Sequence, residues 1–108
     1  MVVNVLGTEY TITESTENED ENLQGVDGYC DTSIKAIVID KMENVHGPGT
    51  KKNLADYKKS VLRHELVHAY LYESGLAECS WANNEALVDW IAIQVTKMVK
   101  TFGEVEAI

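Results

Sequence analysis

Residues 61–70 read VLRHELVHAY and combine an apolar pattern of helical period with two histidines. At 3.6 residues per turn, His64 and His68 lie one above the other on one face of a helix, about 40° apart around its axis. Two imidazoles stacked in this way can supply two corners of a tetrahedral zinc site, and Glu65 beside them can act as a general base. The stretch therefore predicts a helix that carries two zinc-binding histidines and the general base of a hydrolase. The alternative is a helix that holds two histidines by coincidence.

Residues 84–89, NEALVD, open the next predicted helix and bring two further carboxylates, the first of them 17 residues after His68. Glu85 and Asp89 are four residues apart and therefore share one helix face. Histidines that bind a metal usually donate their second ring N–H to a carboxylate, and Asp89 can accept it. Without the histidines, Glu85 would be interpreted as an acid favoured by the helix dipole, and Asp89 as a solvated residue.

Together, HELVH at 64–68 and NEALVD at 84–89 resemble the paired motifs of the gluzincins, the thermolysin-like zinc metallopeptidases. The resemblance implies that Asp89 orients His64 and that Glu65 is the catalytic base. It implies the following Zn²⁺ ligands: His64, His68 and Glu85.

The chain departs from the larger gluzincins, which place an oxyanion-binding Tyr or His from a C-terminal subdomain that these 108 residues do not contain. Tyr57 and Tyr72 lie on the metal side of the predicted helix and are the candidate oxyanion donors; for each, the alternative is a packing role. More loosely, the length and residues 28–31 resemble the small metallopeptidases of phages and mobile elements, of the ImmA/IrrE type. That family's later acidic motif differs from NEALVD.

The rest of the sequence predicts one α+β domain over residues 1–108. Residues 2–6 and 9–13 are predicted to form a β-hairpin, and 33–40 the strongest strand. Residues 14–22, with five acids and no apolar side chain, are predicted to be a solvated loop; a calcium loop is the alternative, although it lacks EF-hand spacing. The 33–40 strand could also bind an extended peptide at its edge.

Two helices complete the predicted fold. The first runs from an Asn53 cap to Gly75, and the second from Asn83 or Asn84 to Phe102. On the first helix, one arc is expected to be solvated: Asp56, Lys59, Arg63 and Tyr70. On the second, a stripe is expected to enter the core: Leu87, Ile91, Val95, Met98 and Phe102. The resemblance implies a minimal zincin-like scaffold, with a small, mostly antiparallel sheet packed on the active-site helix and the glutamate-bearing helix.

The net charge of −9 argues against binding to nucleic acid or an anionic membrane surface, which both favour basic patches. No apolar run is long enough to span a bilayer, and the N-terminus lacks the features of a signal peptide, so a cytoplasmic location is expected. Cys30 and Cys79 are then expected to be free thiols, because neither has metal-type spacing and a reducing compartment disfavours a disulfide. His46 is interpreted as a surface residue of a Gly/Pro-containing loop.

The sequence thus predicts a zinc metallopeptidase that acts on a protein or peptide substrate. One alternative is a non-catalytic, acidic zinc-binding protein that antagonises a basic partner, for which Glu65 would have no use as a base. Another is a metal-free acidic interaction domain, which the metal content of the purified protein would identify.

Overall fold

The computed structural model describes residues 1–43 and 53–108, and its elements form the predicted α+β fold. The strands are β1 (Val2–Val5), β2 (Thr8–Ser15), β3 (Gly28–Asp31) and β4 (Ala36–Asp40). The helices are α1 (Leu54–Glu73) and α2 (Glu85–Glu104), with 3₁₀ turns at Glu21–Leu23 and Ser80–Asn83. His46 lies outside the described residues.

The four strands form one mixed sheet in the order β1-β2-β4-β3. The β1–β2 and β3–β4 pairs are antiparallel and the central β2–β4 pair is parallel, so the sheet is mostly antiparallel as predicted. The predicted first hairpin is confirmed. Its turn has positive φ at both Leu6 and Gly7, 50° and 95°, which matches the right-handed twist of the strands that it joins.

The predicted strand 33–40 starts too early, and β3 before it was missed. Asp31 accepts a hydrogen bond from the Ser33 backbone N–H at 3.0 Å, and Lys35 has φ 56°, so the chain turns sharply here before β4 begins. Because β4 lies between β2 and β3, the prediction that it offers an edge to a peptide is wrong. The edges of the sheet are β1 and β3.

The predicted loop 14–22 is also more ordered than its composition suggests. β2 continues to Ser15, and the Asp20 carboxylate accepts a hydrogen bond from the Asn22 backbone N–H, which caps the first 3₁₀ turn. That turn places Leu23 in the core, fully buried. The acidic side chains therefore lie on a folded connection.

Helix α1 lies on the sheet and begins and ends as predicted. The Asn53 side chain accepts a hydrogen bond from the Asp56 N–H, and Gly75, with φ 81°, follows the last turn. Val61, Glu65 and Ala69, each four residues after the last, are buried on the side that faces the sheet.

β3 and α1 approach closely at Gly28. A Cβ at this position would lie 3.0 Å from the Ile39 and Val61 side chains and 3.1 Å from the Val38 carbonyl oxygen. Only glycine fits here without moving a neighbour. This contact holds α1 against β3 at Val61, one turn before Glu65.

Helix α2 begins at the predicted Asn84 cap, which accepts a hydrogen bond from the Leu87 N–H at 3.1 Å, and it ends two residues later than predicted, at Glu104. It packs against α1. Its buried residues are Val88 and Ala92, so the predicted core stripe was wrong: it is rotated from the buried face, and Met98 and Phe102 are exposed. Within residues 1–43 and 53–108, no helix is long and apolar enough to cross a membrane.

Candidate metal centre

His64 and His68 lie on successive turns of α1 with their rings side by side. The ring centroids are 5.0 Å apart and the planes are inclined by 68°. Potential ligand atoms of these histidines and of Glu65 all lie within 4.8 Å of one another, a group that could hold a metal ion. The HExxH stretch therefore has the local geometry that its spacing predicts.

The first residue of α2 brings a second carboxylate to the histidines. One oxygen of Glu85, Oε2, lies 2.8 Å from His64 Nε2, and its other oxygen, Oε1, lies 3.0 Å from His68 Nε2. Side chains that are 17 or more positions apart in the chain thus meet at one site between α1 and α2. The Asn84 cap fixes where α2 starts and, with it, where this carboxylate projects.

Glu85 is better placed than Glu65 to complete a ligand set with the two histidines. Zinc bonds of about 2.0–2.1 Å in a tetrahedron put ligand atoms about 3.3 Å apart, a few tenths of an ångström more than the 2.8 and 3.0 Å contacts that the two Glu85 oxygens make with His64 and His68. Glu65 is 8% exposed, on the sheet side of α1. The donor set of two imidazoles and one carboxylate is the type that catalytic zinc sites use.

Asp89, one turn after Glu85, contacts the other side of the His64 ring. Its Oδ1 lies 3.2 Å from Nδ1, so each ring nitrogen of His64 faces a carboxylate. If Nδ1–H donates to Asp89, the lone pair of Nε2 points at the Glu85 oxygen. Two acceptors at 2.8 Å require a cation between them, either a proton or a metal ion.

Burial changes the titration of the groups inside the site. The pKa of the Glu65 carboxyl is raised from 4.5 to about 7, first by burial and further by the Glu85 charge, although His64 acts in the opposite direction. Burial also lowers the pKa of His68, against the pull of Glu85. A lowered pKa favours the neutral imidazole, which is the form that binds a metal.

Two cavities adjoin the histidines. The larger, about 570 Å³, lies between α1, α2 and residues 26–28, and both His64 and Glu65 border it. The second, about 410 Å³, extends towards β3 past His68 and Cys30. Burial and the charge of Glu65 raise the pKa of the Cys30 thiol to about 12, so this thiol is neutral at physiological pH. Within the structure Cys30 and Cys79 are both free thiols, as expected.

The two candidate oxyanion donors border different cavities. Tyr57 lines the larger one, and its hydroxyl donates to the Asp27 carboxylate, which, together with burial, raises the pKa of Tyr57 to about 12. Tyr72 lines the second cavity and is 44% exposed. The Lys35 ammonium lies 4.5 Å from the centre of its ring. Each tyrosine thus lines a cavity that His64 also lines, and the role of either as an oxyanion donor stays a prediction.

Two contacts that hold α1 in place were missed from the sequence. Arg63, predicted to be solvated, is half-buried and donates from Nε to the Ala92 carbonyl oxygen at 2.6 Å, which ties α1 to α2 beside His64. The aliphatic part of an arginine side chain can lie along a helix while its guanidinium donates a hydrogen bond to a carbonyl oxygen. A charged residue with this property is not recognisable from periodicity alone.

The second missed contact is at the C-terminal end of α1. The Glu73 carboxylate accepts hydrogen bonds from Thr8 Oγ1, Tyr10 Oη and Lys35 Nζ at 2.8, 2.7 and 3.0 Å. The hydrogen bond from Tyr10, followed by those from Lys35 and Thr8, lowers the pKa of Glu73. This cluster fastens the last turn of α1, one turn after His68, to β2 and to the β3–β4 turn.

A scan against protein-family models and searches of curated proteins and of solved structures found no match to this chain.

Proposed function

We propose that this protein is a zinc-dependent metallopeptidase of gluzincin type, in which His64, His68 and Glu85 bind the metal and Glu65 is the catalytic base. The observation that carries the proposal is the carboxylate of Glu85 facing the Nε2 atoms of both histidines at 2.8 and 3.0 Å. The paired motifs HELVH and NEALVD supply the chemistry that the geometry supports.

When bound, zinc would lower the pKa of a coordinated water to about 7 and polarise the carbonyl of the substrate. Glu65 removes a proton from the attacking water, whose oxygen joins the carbonyl carbon. The amide C–N bond breaks, and Glu65 delivers the proton to the departing amine. Asp89 holds His64 in the tautomer whose Nε2 points into the site. Tyr72 and Tyr57, which line the two cavities, are the candidates for a hydrogen bond to the developing oxyanion, and Tyr57 would first have to release the Asp27 carboxylate to which its hydroxyl donates.

The edge strand β3 is the proposed binding edge for the peptide. The Asp40 N–H donates to the Asp27 carbonyl at 2.9 Å, which makes these two residues a hydrogen-bonded pair. Because such pairs alternate along antiparallel strands, Gly28 and Cys30 direct their backbone groups to the open edge. Both residues line a cavity that Glu65 also borders. An extended peptide that pairs with this edge would run past the base.

The test compares the zinc-loaded wild type with Glu65→Gln in extract of the native host cell, with new protein N-termini as the readout. Gln keeps the shape of the side chain but cannot accept the proton, so cleavage should fall roughly 10²–10⁴-fold while zinc stays bound. Glu9→Gln, an exposed change on β2, is the control and should cleave as the wild type does. Equal sets of new N-termini from wild type and Glu65→Gln would refute the peptidase.

The net charge of −9 favours one competing candidate, the zinc-binding antagonist of a basic partner. Such a protein needs its metal for folding but has no use for a base at position 65. Its biological effect would survive Glu65→Gln and be lost in His68→Ala. The peptidase predicts loss of effect in both variants.

A further inference from the structure

The last ten residues of α2 carry apolar side chains that are not covered by the described part of the chain. Met98, Val99 and Phe102 are 38, 51 and 40% exposed, and Val105 just after the helix is 67% exposed. At 100° per residue, Val99 continues the face that buries Val88 and Ala92 against α1, and Phe102 lies about 60° to one side of it. The helix thus keeps a core-type face for about 15 Å beyond the point where α1 stops covering it.

A second apolar stripe runs beside this face, and its spacing is that of a helix that packs on another helix. Five apolar residues follow one another at intervals of four and three: Ile91, Val95, Met98, Phe102 and Val105. This is the heptad pattern of helix–helix seams; the first four residues lie within α2 and Val105 is its C-cap. We name these five residues the α2 seam.

The α2 seam opens at its N-terminal end into an apolar groove between α1 and α2. The groove has a volume of about 410 Å³, and Ile91 and Val95 form its α2 wall. Leu66 and Tyr70 lie on the α1 wall, and Leu6 also lines the groove. Leu6 and Tyr70 are 59 and 46% exposed, so the exposed apolar surface continues from α2 across the groove.

We propose that the α2 seam and this groove are the interface of a homodimer, in which the seams of two copies pack antiparallel across a two-fold axis. The exposed fractions of Leu6, Tyr70 and the C-terminal half of the seam, at roughly 150–200 Å² per residue, come to about 400–500 Å² per copy. Doubled for two copies, and with the half-buried groove residues Leu66, Leu71, Ile91 and Val95 added, that area reaches the roughly 1,000 Å² that a specific interface needs.

The charge of this segment also permits a second copy as the occupant. The chain carries −9 overall, which opposes self-association, but residues 95–108 contain two lysines and two glutamates and are neutral. The charged helical side chains of this segment, Lys97, Lys100 and Glu104, project on the side of α2 opposite the seam. Glu85 and Asp89 lie about 100° or more around α2 from the seam, so the dimer leaves the metal centre open.

The proposal is tested on the full chain by sedimentation velocity over about 1–300 μM. The wild type should reach twice its 12.0 kDa mass at the upper end, and Phe102→Asp should raise the dimer Kd at least about tenfold. The matched control is Trp90→Asp, which is 54% exposed on the same helix but about 120° away from the seam. It should dimerise as the wild type does.

A second pair of variants keeps the test independent of any folding defect in Phe102→Asp. Met98→Cys lies at the centre of the seam and should form an intermolecular disulfide under mild oxidation, well above the background from the two native cysteines. Trp90→Cys should stay at that background. A wild type that remains a monomer at 300 μM, equal weakening by Phe102→Asp and Trp90→Asp, or equal cross-linking of the two cysteine variants would each overturn the proposal.

Discussion

Replacing Glu65 by Gln should raise the free energy of unfolding of the metal-free protein at alkaline pH. At that pH the Glu65 carboxylate is charged, and its burial makes the charge unfavourable. Glu65 is 8% exposed, and among the described residues no other charged side chain is buried. Its pKa in the folded chain is about 7, against 4.5 for an ordinary glutamate. Between these two values the folded state keeps a proton that the unfolded state has lost.

The sign of the effect follows from this difference. Because the folded state binds more protons, the free energy of unfolding falls as pH rises from about 4.5 to about 7. One pKa unit is worth about 1.36 kcal/mol, which sets a ceiling of about 3 kcal/mol. Since the site is open to water on its cavity side, we expect about 2 kcal/mol after screening. His68, whose pKa is lowered, contributes in the opposite direction, but it is present in both proteins and largely cancels in the difference.

The assay is urea unfolding of wild type and Glu65→Gln at pH 5, 6, 7 and 8 in the presence of a chelator. The two curves should nearly coincide at pH 5 and separate by about 2 kcal/mol at pH 8, with the variant more stable. Glu9→Gln should follow the wild type at every pH, because its side chain is exposed. A variant that keeps the wild-type pH slope, or that is less stable at pH 8, would refute the assignment of Glu65 as a buried acid.

Three further predictions concern the site and its support. Purified wild type should carry about one zinc per chain and His68→Ala none by elemental analysis; full occupancy in the variant would show that the ligand set is wrong. Asp89→Ala should weaken zinc binding by 10–100-fold in a competitive chelator titration, and unchanged affinity would make Asp89 a solvated helix residue. Gly28→Ala should cost about 1–3 kcal/mol in urea unfolding because its Cβ would meet three atoms at 3.0–3.1 Å. Gly103→Ala, with nothing within 4 Å, should instead gain up to about 1 kcal/mol, and equal losses in both would contradict the close approach at Gly28.

Most of the candidate site could be predicted from the sequence because its parts are local. His64 and His68 are four residues apart on one helix, as are Glu85 and Asp89, and helical geometry alone places each pair on one face. The Asn84 cap fixes the start of α2 by a contact within three residues. Whether the two pairs meet depends on how the helices pack, and there the resemblance to gluzincin motifs supplied the expectation.

The errors fall where long-range packing overrides local pattern. Leu87 and Ile91 were predicted to enter the core because they are large and apolar, yet the buried residues are Val88 and Ala92. A small residue such as Ala92 on the contact face lets α1 and α2 approach closely, and the larger side chains then flank the contact. Likewise, nothing local in residues 33–40 indicates that β4 pairs with β2 as well as with β3, which removes it from the edge.

The strongest support for a bound metal is that two features with a cost in folding free energy lie together at the histidine site. Glu65 is buried beside the histidines with its pKa raised to about 7, and in either neutral tautomer one ring nitrogen of His64 presents a lone pair to a carboxylate, that of Glu85 or that of Asp89. Each feature costs folding free energy in the absence of a cation, and a divalent metal between these groups would offset both. An acidic domain that acts only through its surface charge would gain nothing from either arrangement, whereas a site that binds zinc and activates water needs both. Zinc should therefore raise the unfolding free energy of the wild type, in addition to binding it, and a Tm that is the same with excess zinc as with chelator would remove this support for the metal centre.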